Sequence, residues 1–250
     1  MPGAVANSEP QVKTMRVLIA VLTGIWTASL TWATAADTNG WVALYNGQNL
    51  DGWVQRGGKA IYRAEGPELV GRSVPNTPNS FLCTVRTYTN FVLEFEFKVD
   101  PQLNSGVQIR SECFDQARRV EWQSRSIAIP AGRVHGYQVE IDPDPKRARW
   151  WTAGIYDEGR RGWLFPGPLG GDPDQFTRQG KEAFKPGDWN HVRVEAVGDT
   201  IKTWLNGVPR AEIKDSMTPA GFIALQVHGV GKRTEPLEVR WRNLRIKELP

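Results

Sequence analysis

Along the chain, short hydrophobic runs that alternate with polar residues or are rich in β-formers are each cut off by a turn signal. They include "FVLEFEFKVD" (91–100), "GVQIR" (106–110), "YQVEI" (137–141), "HVRVEAV" (191–197), "IKTWL" (201–205) and "GFIALQV" (221–227). Strands of this length, separated by Gly- and Pro-rich punctuation, indicate a sandwich or barrel. The turn chemistry is dense, with 25 Gly and 17 Pro, and no segment of helical length after residue 35 carries an apolar stripe, so helix is expected to be minor. The clearest local unit is "IKTWLNGVPRAEI": Asn206-Gly207 suits the positive φ angles of a two-residue turn and predicts a hairpin of Ile201–Leu205 with Val208–Ile213. Two stretches, Glu112–Arg133 and Asp157–Gly187, read as long loops, which in a compact domain are usually functional.

Alternation across a strand sorts the polar residues. With Val107 and Ile109 facing the core, Gln108 and Arg110 face away. With Tyr137, Val139 and Ile141 inward, Gln138, Glu140 and Asp142 point out; with Ile223, Leu225 and Val227 inward, Ala224, Gln226 and His228 do. If these strands are neighbours, amides, an arginine, carboxylates and a histidine line one surface. One wet side is the ordinary fate of an antiparallel sheet, but this set holds few of the Lys and Thr residues that decorate such faces. Of the 11 Trp, some could stack on sugar rings, whereas Trp204 and Trp241 are assigned to the core.

The N-terminal region reads differently. Lys13 and Arg16 precede the apolar run "VLIAVLTGIWTASL" (17–30), and "ATA" (33–35) supplies a cleavage site, so residues 1–35 are expected to be a secretory signal, with Met15 a second candidate start. The run is shorter than the ~20 apolar residues of a membrane span. Residues 36–250 are then expected to form one exported domain, periplasmic or secreted, with no stable membrane span. Its charge changes from 31 − 27 = +4 to 29 − 26 = +3, scattered among acidic residues, which argues against a nucleic-acid partner. Cys83 and Cys113 are compatible with either a disulfide or two buried thiols.

The ordered elements "WVALYNGQNLDGW", "NSGVQIR", "GYQVEID", "TAGIYD", "KPGDWNHVRVEAVGDTIKTWLNGV", "GFIALQVHG" and "VRWRNLRIKEL" resemble the 3-keto-disaccharide hydrolase family of exported bacterial proteins, from about Trp41 to Leu249. The resemblance implies an all-β, concanavalin-like jelly roll of two antiparallel sheets with the site on the concave one. It also implies cleavage of glycosides bearing a C3 ketone, by C2 deprotonation, β-elimination and hydration. On this resemblance Glu140, His228 and Arg110 are the candidate catalytic residues; Gln108, Gln138, Gln226 and Asn104 of "NSG" are candidate substrate contacts. Glu140, Asp142 and His228 could hold a divalent metal that stabilises the enolate; no organic cofactor is implied. The partner expected is an oligosaccharide or glycoside.

Two other readings share the scaffold. "EIDPDP" (140–145) is similar to the strand motif of laminarinase-type glycosidases, whose paired carboxylates act as acid and nucleophile about 5 Å apart. Pro143 and Pro145 interrupt that strand, however, and place Asp144 in a turn. A non-catalytic sugar-binding module would need the concave face but no base or metal.

Overall fold

The computed structural model describes Gly3, residues 37–143 and residues 148–250. The expected signal segment lies, Gly3 apart, outside the described residues, as do its boundary at residue 36 and Asp144. Two large sheets form a jelly-roll sandwich in which every strand pair is antiparallel. In chain order the strands are β1 (Val42–Ala43), β2 (Trp53–Gly57), β3 (Ile61–Glu65), β4 (Glu68–Arg72), β5 (Ser80–Tyr88) and β6 (Phe91–Val99). Next come β7 (Ser105–Cys113), β8 (Arg118–Trp122), β9 (Arg125–Ile129), β10 (Val134–Ile141), β11 (Ile155–Glu158) and β12 (Gly162–Phe165). After helix α1 (Pro173–Ala183) follow β13 (Asn190–Val197), β14 (Thr200–Leu205), β15 (Val208–Lys214), β16 (Gly221–Val227) and β17 (Glu238–Glu248). One sheet runs β15-β14-β13-β6-β17-β4-β3, with β1 added to β17; the other runs β12-β11-β10-β7-β16-β5-β2.

The core lies between the sheets and follows the period-2 pattern. Leu93, Phe95 and Phe97 of β6 are fully buried and meet Val192, Val194, Trp241 and Ile246 of the neighbouring strands. Each such side chain contributes roughly 1.5–3 kcal/mol by leaving water. The alternate residues of β6 point outward into ion pairs: Glu94 takes Arg193 and Arg245, and Glu96 takes Arg242. The outer face of this sheet is thus a charge ladder, whereas the open face of the other sheet carries amides and acids. Trp241 is buried as expected, but Trp204 is only half-buried: Ile201, Thr203 and Leu205 take the inward positions of β14, so Trp204 falls on the outer face beside Arg193 of β13.

The Asn206-Gly207 hairpin forms, with φ of 51° and 84° at the two turn residues. The two expected long loops are corrected. Glu112–Arg133 contains the β8–β9 hairpin, and Asp157–Gly187 contains the end of β11, β12 and α1. The helix starts at Asp172, whose carboxylate accepts the Gln175 amide N–H at 2.7 Å, with Pro173 in the first turn; Phe176, Gly180 and Ala183 face inward. Cys83 and Cys113 are both free thiols in one small apolar cluster, and burial pushes Cys83 up to about 12. Among the described residues no helix is long and apolar enough to cross a membrane.

Candidate functional site

The strand register assembles the site. Directly paired residues of antiparallel strands share a face. Gln226 of β16 pairs with Gly106 of β7, and Gly106 with Glu140 of β10. In the next row Gln108 pairs with Gln138, and Gln138 with Tyr156 of β11; beyond it Gly136 pairs with Glu158. A cavity of about 610 Å³ opens over these rows. Gly106 makes the floor: a Cβ there would sit 2.6 Å from the Gln138 side chain, so any larger residue would displace the amide that holds Glu140.

Glu140 is buried, and both of its oxygens are occupied. Asn104 Nδ2 donates to Oε1 at 2.5 Å and Gln138 Nε2 to Oε2 at 2.7 Å. Gln138 is held in turn, since its Oε1 accepts Gln108 Nε2 at 2.5 Å, and Gln108 Oε1 accepts the Ser111 hydroxyl. Burial pushes the Glu140 carboxyl up to about 8 against the two amides, and the negative charges of Asp142 and Glu158 add to the rise. The group therefore changes protonation near neutral pH, as an acid or base in turnover should.

Sequence reasoning missed several lining residues. Glu158 is buried at the cavity and raised by that burial, with the charges of Arg133 and His228 opposing the rise; Arg133 Nη2 lies 2.6 Å from its Oε1. Tyr156 also lines the cavity, and its phenol is raised by burial and by the charges of Glu158 and Glu140, so it keeps its proton. Strand β11 is fixed from behind by Asp157, which is fully buried and binds Arg160 and Arg161; Arg161 reaches on to Asp215 at 2.7 Å. The alternation in "IYDEGRRGWLF" was hidden because its inward position carries Asp157, a charge, and not an apolar residue.

The expected residues divide into three groups. Glu140, Gln138, Gln226, Asn104, Asp142 and His228 all line the cavity, His228 from its exposed rim; Gln108 lies behind Gln138 as its support. Gln226 is fully buried, and neither its Oε1 nor its Nε2 has a partner among the described residues. Arg110 does not reach the site, which corrects its expected outward placement. Between the pairing of Ile109 with Tyr137 and that of Glu112 with His135, two residues of β7, Arg110 and Ser111, stand opposite the single Gly136 of β10, and β16 shows a like mismatch between Phe222 and Ala224. This bulge puts Arg110 at φ 45° and turns its side chain away from Gln108. The fully buried guanidinium instead donates to the Thr89 and Gly198 carbonyls, both at 2.7 Å, and to Asn90 Oδ1 at 3.3 Å. Gly136 accommodates the bulge: its φ is 137°, and a Cβ would meet Ser111 Oγ at 2.4 Å.

The donor set does not fit the expected metal. Among the described residues no three His, Cys, Asp or Glu side chains converge as a metal-holding group. Glu140 is engaged by amides, Asp142 Oδ2 is held by Arg149 at 2.5 Å, and His228 Nδ1 lies 2.8 Å from the Gly229 carbonyl. Asp144, the acid that a glycosidase-type pair with Glu140 would need, lies outside the described residues, and Asp142 between them is bonded by Arg149 through Nε as well, at 2.6 Å.

Comparisons agree with this architecture. A Bacillus subtilis protein of unknown function with a galectin-like fold superposes with a TM-score of 0.54 at 14% identity, covering 82% of this chain and 96% of its own. A candidate glycosyl hydrolase from Parabacteroides distasonis superposes with a TM-score of 0.51 at 22% identity, covering 84% and 99%. The carbohydrate binding module CBM66 of Bacillus subtilis does so with a TM-score of 0.50 at 15% identity, covering 81% and 98%. These likenesses establish the fold. No curated protein sequence matches. The model of the 3-keto-alpha-glucoside-1,2-lyase-like domain matches residues 40–247, a span that contains both sheets but for Glu248 at the end of β17 and every cavity residue named above, and the chain belongs to that family.

Proposed function

We propose that the protein cleaves 3-keto-glycosides at C1 by β-elimination, with Glu140 as the base. The observation that carries this reading is a buried carboxyl on the cavity floor, held by two amides and pushed up to about 8 by its burial. Family membership supports the substrate class. The C3 ketone acidifies the C2 proton; ionised Glu140 takes it, and the C2–H electrons form an enolate whose charge rests on the C3 oxygen. Tyr156 and Gln226 line the same cavity and are the donors we assign to that oxygen. Collapse of the enolate breaks the C1–O bond, and the departing oxygen takes the proton that Glu140 accepted, which leaves Glu140 ionised again. Water then adds at C1 of the unsaturated product, C2 regains a proton, and the net reaction is hydrolysis. All of this is carried by the chain's own side chains. An unoxidised glycoside has nowhere to delocalise the C2 charge and does not react.

Purified protein is to be incubated with a 3-keto-glucoside and with its unoxidised parent. Cleavage of the first alone is expected; cleavage of the parent supports a glycosidase instead, and inertness toward both supports a sugar-binding module. The pH profile follows from Glu140. As a base it must be ionised, so kcat/KM should rise about tenfold per pH unit through the neutral range and level off above about pH 8. A profile that falls through pH 8 makes Glu140 the proton donor and overturns its assigned role.

A further inference from the structure

The charged groups around the cavity are not all paired. Three arginines line it, Arg133, Arg149 and Arg233. Two are taken by carboxylates of the site itself, Arg133 by Glu158 and Arg149 by Asp142. The third carboxyl, Glu140, is engaged by Asn104 and Gln138 and by no arginine. Arg233 has no carboxylate partner among the described residues. Its Nη1 donates to Gln102 Oε1 at 2.9 Å, and its Nε is buried without an acceptor. A guanidinium fork with an unused donor seeks a planar or tetrahedral oxyanion.

Two further observations make this a built site. Gln226 is fully buried on the cavity floor with both amide atoms unpartnered among the described residues, an arrangement that costs free energy unless a ligand or water supplies the missing bonds. The segment that carries Arg233 is also pinned. The Asn76 amide N–H donates to the Gly231 carbonyl at 2.6 Å, Gly229 N–H to Asn79 Oδ1 at 3.0 Å, and Leu237 N–H to Ser73 Oγ at 2.9 Å. Gln102, the partner of Arg233, stands two residues before Asn104, which holds Glu140. Arg233 and the proposed base are thus tied to one short stretch of chain and face one cavity.

From this unpaired cation we propose that the substrate is an acidic glycoside, with a carboxylate or sulfate ester on the sugar seated against Arg233. The inference rests on the cavity being the sugar site proposed above, and it adds a charge requirement to it. Binding can be measured without cleavage, by calorimetry on the whole protein with unoxidised ligands: a disaccharide containing a glucuronic acid unit, the same disaccharide with that carboxyl reduced to the alcohol, and the alcohol carrying a sulfate. At least one anionic ligand should bind about tenfold more tightly than the neutral one at low salt, and the stronger of the two identifies the anion. Arg233→Gln should bring that ratio to within about twofold while leaving the neutral affinity unchanged, and that unchanged affinity also reports an intact fold. In 0.5 M NaCl the preference should shrink in the unaltered protein. Equal affinity for charged and neutral sugars overturns the acidic-substrate inference and leaves the cleavage reading standing; a preference that survives Arg233→Gln overturns the role of this arginine. Failure of all three sugars to bind counts against the site itself.

Discussion

Replacing Glu140 with Gln should lower turnover of a 3-keto-glycoside about a thousandfold or more, since a positioned acid or base contributes 10²–10⁴-fold, and should make the protein more stable at alkaline pH. The second half follows from linkage. Glu140 rises from 4.5 in the unfolded chain to about 8 in the fold because burial disfavours its ionised form. Folding therefore takes up a proton between these two values. The penalty is absent below about pH 4.5, grows as pH rises, and is complete above about pH 8, where it is on the order of 5 kcal/mol. Glutamine cannot ionise and escapes it. Thermal unfolding of both proteins at pH 5 and pH 9 should show similar midpoints at pH 5 and a higher midpoint for Glu140→Gln at pH 9. A variant that keeps its activity removes Glu140 from the chemistry, and one that is destabilised at both pH values makes it a structural residue.

Arg110→Ala should behave in the opposite way. The guanidinium is fully buried and satisfies the carbonyls of Thr89 and Gly198. Alanine leaves both acceptors dry and opens a cavity, at a cost of roughly 3–5 kcal/mol, or about 10 °C in the melting midpoint. Below that midpoint the variant should keep its KM, because Arg110 is absent from the cavity lining. A loss of kcat at unchanged thermal stability would return Arg110 to the active site.

These two residues show how far sequence reasoning reaches. Strict alternation placed Gln138 and Glu140 on the open face, and the register of β10 with β7 and β11 puts them there, because no extra residue intervenes between Tyr137 and Ile141. The same rule failed three residues beyond Val107. A bulge adds one residue to β7, and from there the parity inverts, carrying Ser111 to the open face in place of Arg110. Gly136, with its forced positive φ, was the local sign of that irregularity.

The residues that complete the site were hidden for other reasons. Tyr156 and Glu158 alternate with Asp157, whose inward charge is stabilised by Arg160 and Arg161, two residues that look solvent-facing in sequence. Arg233 lies in a loop, where no periodicity marks direction, and only the pairing of the other arginines reveals that it is unmatched. Asp172-Pro173 was a legible helix start that the density of Gly and Pro around it obscured. The metal ligands were inferred from the family resemblance, which does not show that Asn104, 36 residues away, and Gln138 engage Glu140 or that Arg149 holds Asp142.

The central claim is that the bond from C2 to hydrogen breaks before the bond from C1 to oxygen. Its most direct test is to let the protein cleave a 3-keto-glucoside in heavy water and to compare the C2 hydrogen of the released sugar with that of unreacted substrate from the same sample, which corrects for spontaneous enolisation. The elimination account predicts deuterium at C2 of the hydrated product. Release of a sugar that keeps its original C2 hydrogen would contradict it.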